Sequence, residues 1–345
     1  MQRAAPRLTI GIPTYNRAPK LARALESFVA QIERDGLSDR VDIVVSDNAS
    51  TDDTPAVCAR FAGREGARVR ALRQAENLGF NGNVWALYRA CEAGHLWTFA
   101  DDDLPFDGAV AKVLAAVESE DPDVLLFSFV QPPGSRVRTF DLPDAVTTTT
   151  EPSACARFVC QMPKISMYVY RRAELSDASV RLIEAQVLES GFAYVSLALS
   201  ILDDASAPRV TVIAEPLATC DDGYITLRIS PEDFGRAHQM WTHPFVRRHA
   251  PQLAEDADRK SYLSLLAFLW GWRAGRIDVE PDYVDEWWRS LRELPARWPS
   301  LVSDPGALLR FALLKSEPRV VPRWLNLAAT AARRLDPRTR GASPE

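Results

Sequence analysis

The first 130 residues alternate between short apolar runs and longer amphipathic segments. The runs with the length of strands are residues 8–13, 41–46, 68–72, 96–100 and 124–130. Between the first two runs, apolar residues recur at helical spacing, at Leu21, Leu25, Phe28, Val29 and Ile32. Nearly continuous apolar strands separated by helices are typical of a parallel sheet covered on both faces. The pattern therefore predicts an α/β fold with a doubly wound, mostly parallel sheet.

Polar clusters follow three of these strands. They are the loop at residues 14–17, the pair Asp47-Asn48, and the acidic run Asp101, Asp102 and Asp103. Ligands of open α/β sheets bind at the carboxyl ends of the strands. Three adjacent carboxylates repel one another unless a positive charge lies among them, and Mg²⁺ accepts carboxylate and phosphate oxygens together. The clusters predict a site for a nucleoside diphosphate and a divalent metal, Mg²⁺ or Mn²⁺.

Each side chain of this predicted site has a possible role. Tyr15 can cover a base, and Asp47 can accept a hydrogen bond from a base N–H group. Asp101 can accept from ribose hydroxyls, and Asp103, on the same side of an extended chain, can hold the metal. A purely structural interpretation stays open for each position taken singly. It makes Asn16, Asn48 and Asn83 turn or cap residues, Tyr15 a packing residue, and the acidic run a turn before a helix that starts near Asp107.

Composition narrows the class of protein. The 345 residues allow one large domain, or one domain with an appended helical lobe. A net charge of −5 argues against general nucleic-acid binding. The five cysteines are scattered without a CxxC pair, no signal peptide is recognisable, and no apolar stretch reaches membrane-spanning length. We therefore expect a cytoplasmic protein with reduced thiols.

Four motifs together resemble a known family. PTYNR, SDNASTDDT, NLGFNGNVWALYRACEAG and FADDD agree in order and spacing with the inverting family 2 glycosyltransferases of GT-A fold. The resemblance is good from residue 8 to about 118, weaker to about 225 and absent beyond, and it is nearest to the abequosyltransferase-like enzymes of bacterial surface polysaccharides. It implies a sugar-nucleotide donor, a divalent metal and a glycan or lipid-linked acceptor. It also implies Asp103 as metal ligand and a set of donor-binding residues: Pro13, Thr14, Tyr15, Arg17, Asp47, Asn83, Asp101 and Asp102.

The resemblance sets the expected domains. Residues 1–228 form the GT-A domain, with a donor half at 1–118 and an acceptor half at 119–228, and residues 229–345 form a helical extension. The extension is rich in tryptophan, and its residues 323–340 mix apolar and arginine side chains. Such a segment can bind the anionic lipids at the inner face of the cytoplasmic membrane. Packing of the tryptophans on the catalytic domain is the alternative.

Sugar transfer with inversion needs a general base on the acceptor side. Many members of the family carry a Glu-Asp pair there, and this sequence does not. Glu189 is the first candidate, followed by Glu184 and Asp222. The glutamates have the alternative of a solvated helix face, and Asp222 that of a turn. The missing pair keeps a second hypothesis open, in which the chain is a non-catalytic sugar-nucleotide-binding or scaffold protein.

Overall fold

The computed structural model describes residues 6–64, 66–130, 144–161, 164–189, 192–220 and 243–253. All of them belong to one compact unit, which comprises residues 1–228 and 235–254. Asp222 and the segment 323–340 lie outside the described residues. Most of the predicted C-terminal extension does so too.

Nine strands of the described residues form one sheet. They are β1 Leu8–Thr14, β2 Val41–Asp47, β3 Arg68–Arg73, β4 His95–Thr98, β5 Asp103–Pro105, β6 Val124–Val130, β7 Val146–Thr149, β8 Tyr168–Arg171 and β9 Val210–Cys220. The strand order is β3-β2-β1-β4-β8-β6-β9-β5, and β7 also pairs with β9. Strands β1 to β4 run parallel, β6 and β9 run parallel, and β8 lies antiparallel between β4 and β6. The predicted mostly parallel sheet is confirmed.

Eight α-helices lie within the described ranges. They are α1 Ala18–Arg34, α2 Thr54–Ala62, α3 Gly79–Ala90, α4 Ala109–Glu120, α5 Pro152–Cys160, α6 Asp177–Glu189, α7 Ala193–Asp204 and α8 Pro244–His249. Helix α1 begins with a proline in its first turn and buries all five predicted apolar residues. Helix α8 packs against α5 and α7. In the described part of the chain, no helix has the length and apolar character needed to cross a bilayer.

A buried aromatic cluster supports the strand that leads to the acidic run. Phe28 of α1 meets Phe99 edge to face at 4.8 Å between ring centroids, and Trp97 meets Phe99 at 5.5 Å. All three rings are fully buried. Edge-to-face pairs stabilise a core by about 0.5–1.5 kcal/mol beyond the area they bury. The backbone at the end of β4 is therefore held firmly.

The acidic run itself differs from the prediction. Strand β4 ends at Thr98, and the chain then turns, with the N–H of Asp103 donating to the carbonyl of Ala100 at 3.2 Å. The expectation of an extended chain through Asp101 and Asp103 was wrong, because the chain turns there and Asp103–Pro105 forms β5, which pairs antiparallel with β9. The turn gives each carboxylate a different environment.

Candidate functional site

Asp101 joins the end of β4 to the loop after β1. Its side chain is buried, and both of its carboxylate oxygens have donors. The hydroxyl of Thr14 donates to Oδ2 at 2.7 Å, and the guanidinium of Arg17 donates to Oδ1 at 3.0 Å. Burial raises the pKa of Asp101, and the charge of Arg17 opposes that rise. Asp101 therefore fixes the loop geometry whatever else it binds.

Asp102 faces outward beside it. Its side chain is 37% exposed, and Oδ2 accepts from the same Arg17 nitrogen at 2.9 Å. The guanidinium is 48% exposed and bridges two adjacent carboxylates. Arg17 thus supplies the positive charge that the acidic run requires and still offers donor groups to a ligand.

Asp103 is the most suitable metal ligand of the three. It is buried, Ser166 donates to its Oδ2, and Oδ1 accepts no hydrogen bond from the described residues. Burial raises the pKa of Asp103 to about 7, with Lys164 and the Ser166 hydroxyl opposing the rise. A divalent cation would stabilise the ionised form. A buried carboxylate with one oxygen that accepts no hydrogen bond from the described residues suits Mg²⁺ or Mn²⁺, which prefer oxygen ligands.

A metal here would need ligands beyond the protein side chains. Among the described residues, no group of three His, Cys, Asp or Glu side chains converges on one point. Hard cations such as Mg²⁺ keep waters and take substrate phosphates alongside one or two carboxylates. The site therefore fits an ion that arrives with a phosphorylated ligand.

The loops after β1 and β2 are bonded to each other. Asn16 lies in the left-handed region with φ of 53°, its N–H donates to Ser50 Oγ at 2.9 Å, and its Oδ1 accepts from the N–H of Thr51 at 2.7 Å. Asp52 accepts from the N–H of Ala18 at 3.1 Å and so joins the start of α1. The structural interpretation of Asn16 as a turn residue is correct, and the two motifs form one rigid rim.

Asp47 lies at the end of β2 with partners of its own. It is buried, it accepts from the N–H of Ser50 at 2.9 Å, and the guanidinium of Arg73 pairs with its other oxygen. Arg73 also donates to the carbonyl of Ser50 at 2.9 Å. The sequence analysis missed Arg73, since an arginine at the end of a weak, exposed strand carries no distinguishing pattern. The contact of Asp47 with a base stays a prediction.

Asn83 holds α3 onto the sheet. Its Nδ2 donates to the carbonyl of Ser46 at 2.9 Å, and its Oδ1 accepts from the Ser46 hydroxyl. The residue is buried, so both ends of the amide are used within the protein. This geometry is not that of a helix cap, and the contact of Asn83 with a donor stays a prediction. Asn48 plays a related part, because its Oδ1 accepts from the N–H of Leu78 at 2.9 Å.

Pro13 and Tyr15 border the same edge in different ways. Pro13 is a buried residue of β1, opposite Ser46 in the parallel register, and has no polar side chain to offer. Tyr15 is 43% exposed, which leaves its ring accessible for stacking. Of this pair, only Tyr15 can contact a ligand with a polar group of its side chain.

The three candidate bases remain unassigned to the site. Glu184 is exposed on α6. Glu189 is the last residue of α6, and its side chain lies outside the described residues, as does all of Asp222. Within the described residues, β9 ends at Cys220, whose Cα is the register partner of Asp103.

Ser166, like Arg73, belongs to the site although no pattern in the sequence signals it. It lies in the 3-10 turn Ile165–Met167, which precedes β8. Its hydroxyl touches the metal-ligand candidate Asp103 from 63 positions away in the chain. A serine in an apolar run has no pattern that predicts such a contact.

Comparisons with known proteins agree with this architecture. Residues 9–175 match the model of Glycosyl transferase family 2. Residues 1–349 of S. aureus TarS solved with UDP match at 16% identity and TM-score 0.54, and the same fragment with UDP-GlcNAc matches at 16% and 0.53. Each alignment covers 83% of this chain and 79% of the other. Mannosyltransferase PcManGT from Pyrobaculum calidifontis, solved with GDP-Man and Mn²⁺, matches at 17% identity, 97% and 82% coverage and TM-score 0.48.

A search of curated proteins found no match. At these identities the two TarS structures establish a shared fold, and the family model covers β1, β2, β4 and β5, which carry the acidic run and the loops beside it. The chain contains a glycosyl transferase family 2 domain with the GT-A fold.

Proposed function

We propose that this protein is an inverting glycosyltransferase that moves a sugar, a hexose or deoxyhexose, from a nucleoside-diphosphate sugar to a hydroxyl of a glycan or lipid-linked acceptor. The observation that carries the proposal is the convergence of Thr14, Arg17 and the acidic run at one edge of the sheet. Because the chain resembles family members that build bacterial surface polysaccharides, we propose that it acts in surface polysaccharide or glycolipid biosynthesis.

The donor lies across the loops after β1 and β2. Tyr15 covers the base, and Asp47, already paired with Arg73, presents its remaining acceptor positions to a base N–H. Arg17 faces the diphosphate, because its half-exposed guanidinium can turn from Asp102 toward a phosphate. Asp101 positions Arg17 and Thr14 and receives the ribose hydroxyls on its free lone pairs.

The diphosphate gathers negative charge as it leaves, and a Mg²⁺ or Mn²⁺ ion on Asp103 would neutralise that charge. The chain's own contribution is to keep Asp103 buried, oriented by Ser166 and beside the outward-facing Asp102. The buried setting of Asp103 would strengthen its electrostatic contact with such an ion.

The general base deprotonates the acceptor hydroxyl from the face of the sugar opposite the leaving group. Glu189, Glu184 and Asp222 are retained as the candidates. Asp222 follows Cys220, the register partner of Asp103, by two residues in the sequence. Glu189 ends the helix that precedes α7, on the acceptor half of the domain.

The proposal is tested by donor binding and turnover. UDP-, dTDP-, GDP- and CDP-sugars are offered with Mn²⁺ or Mg²⁺, and release of nucleoside diphosphate is measured for the wild type and for Asp103→Ala. Asp107→Ala is the matched control, because Asp107 is 83% exposed and pairs only with Arg34 among the described residues. Metal-dependent turnover of one donor, lost in Asp103→Ala and kept in Asp107→Ala, is expected.

Two other outcomes have definite meanings. Metal-dependent donor binding without turnover, even with lipid-linked acceptors present, would support the non-catalytic sugar-nucleotide-binding or scaffold protein. Absence of binding to every donor would contradict the donor site itself.

Contact with a membrane is proposed separately, from the sequence of residues 323–340. Five arginines and several apolar side chains in this segment would bind the anionic inner face of the cytoplasmic membrane. The test is flotation with anionic liposomes, with and without residues 318–345. Flotation that requires these residues supports the proposal, and a protein that never floats contradicts it.

A further inference from the structure

The hydroxyl of Ser166 connects the backbone of the acidic turn to its metal-ligand candidate. Ser166 Oγ accepts from the N–H of Ala100 at 2.9 Å and donates to Oδ2 of Asp103. A hydroxyl has one proton, so the bond to Asp103 uses the only donor that Ser166 has. The side chain is fully buried, and water does not compete for either bond.

The turn that carries Ser166 is itself fixed by β4. The indole N–H of Trp97 donates to the carbonyl of Ser166 at 2.8 Å, and the hydroxyl of Thr98 donates to the carbonyl of Ile165 at 3.1 Å. Both donors are completely buried. The hydroxyl that meets Asp103 is therefore anchored on a backbone that two buried bonds hold in place.

This arrangement leaves Asp103 one usable oxygen. Oδ2 is taken by Ser166, whereas Oδ1 has no donor among the described residues. The carboxylate of an aspartate rotates easily about its Cβ–Cγ bond unless a partner holds one oxygen. With Ser166 in place, Oδ1 is presented in one direction before any ion arrives, which lowers the ordering cost of binding.

We propose that Ser166 is a positioning residue that orients Asp103 for the divalent cation of the donor complex. This inference rests on the proposed function, because it requires Asp103 to ligate that cation. Partners that orient metal ligands typically change metal affinity 10–100-fold when they are removed. A hydroxyl that only satisfied a buried carboxylate would change folding stability and leave the affinity of the folded protein for metal unchanged.

The test measures Mn²⁺ binding directly, by the electron paramagnetic resonance signal of free Mn²⁺, with UDP and with GDP in separate series. Ser166→Ala is expected to weaken Mn²⁺ binding about tenfold. Ser166→Thr, which keeps the hydroxyl, is expected to restore most of the affinity. Ser200→Ala is the control for loss of a fully buried hydroxyl elsewhere, where Ser200 bonds to His243. Near-ultraviolet circular dichroism establishes that each variant is folded.

Thr98→Val loosens the same turn and leaves the bond between Ser166 and Asp103 in place. Its Mn²⁺ affinity is expected to fall less than that of Ser166→Ala. Equal losses in the two variants would assign the effect to the turn and overturn a specific part for the hydroxyl. Because the added methyl of threonine can strain a filled core, the comparison of Ser166→Ala with Thr98→Val decides the case if Ser166→Thr does not fold.

The outcomes separate this inference from the proposed function. If the wild type binds Mn²⁺ with a nucleotide, Asp103→Ala does not, and folded Ser166→Ala binds like the wild type, Ser166 has no positioning part and the proposed metal site stands. If the wild type itself shows no nucleotide-dependent Mn²⁺ binding, the metal site and the inference are both wrong.

Discussion

Asp103 and Cys220 are Cα partners in the antiparallel pairing of β5 with β9. The last acid of the run is thereby joined to the end of a strand that follows it by more than a hundred residues. The chain beyond residue 118 thus contributes to the edge of the sheet at which residues 101–103 place their carboxylates. Ser166, also from this later part of the chain, reaches Asp103 as well.

The general base can be identified by substituting the three candidates in turn. Replacement of the true base by its amide, among Glu189→Gln, Glu184→Gln and Asp222→Asn, should lower kcat about 10²–10⁴-fold, because a positioned base contributes that much. The Kd of the donor should stay near the wild-type value, since the base meets the acceptor. Transfer assays and donor titration measure the two quantities. If none of the three amide variants lowers kcat, the base lies elsewhere.

Arg17 should matter more for the donor than for folding. The ion pair of Arg17 with Asp102 is exposed and stabilises the fold by at most about 1 kcal/mol, whereas its partner Asp101 is buried and keeps the hydrogen bond from Thr14. Arg17→Ala should therefore lower the urea midpoint modestly and raise the donor KM about tenfold, through lost phosphate contact and uncompensated repulsion between Asp101 and Asp102. Arg60→Ala, which removes an exposed arginine paired with Glu26 at 3.5 Å, is the control. An unchanged KM in Arg17→Ala would remove Arg17 from the donor site.

Asn83 should matter more for folding than for donor binding. Asn83→Ala leaves the buried carbonyl and hydroxyl of Ser46 without their partner, which costs about 1–3 kcal/mol of folding free energy. Donor KM in the folded variant should stay within about threefold of wild type by the same reasoning, since the amide is used within the protein. Urea unfolding and donor kinetics measure the pair of effects. A large rise in KM with little loss of stability would restore the donor-binding assignment.

The strands and helices were predictable because their signals are local. Five buried positions of α1 follow helical spacing, β1, β2 and β6 are nearly continuous apolar runs, and the first two of these strands end at polar residues. The convergence of Thr14 with Asp101 was predictable from a general rule about parallel strands. No knowledge of distant contacts was needed for either.

The remaining features depend on contacts between distant parts of the chain. Strand β5 exists because β9 pairs with it, and nothing in the three residues of β5 favours a strand over the turn expected there. Arg73 and Ser166 approach Asp47 and Asp103 from 26 and 63 positions away, and only the folded sheet brings them there. Local pattern therefore predicts which edge of the sheet binds and misses the residues that orient its acids.

His243 makes stability depend on pH below neutrality. Its Nδ1 accepts from the N–H of Phe245 at the start of α8, so its Nε2 carries the proton that meets Ser200 Oγ at 3.1 Å. Burial lowers the pKa of His243 to about 4, with the charge of Asp204 opposing the fall. The unfolded chain, with an ordinary pKa near 6.5, binds the proton more readily, so this contribution is complete above pH 6.5 and is lost as pH falls toward 4.

As the pH falls from 7 to 5, protonation of His243 in the unfolded chain should lower the unfolding free energy of the wild type by about 2 kcal/mol. His243→Asn, which keeps a side-chain acceptor for the first turn of α8 and cannot take up a proton in this range, should lack that loss. Urea unfolding of both proteins at pH 7, 6 and 5 gives the difference, and every other titrating group cancels in the comparison. Parallel pH profiles for the two proteins would mean that protonated His243 is accommodated in the fold. If instead the unfolding free energy of the wild type falls toward that of His243→Asn as the pH is lowered, the neutral imidazole holds α8 against α7.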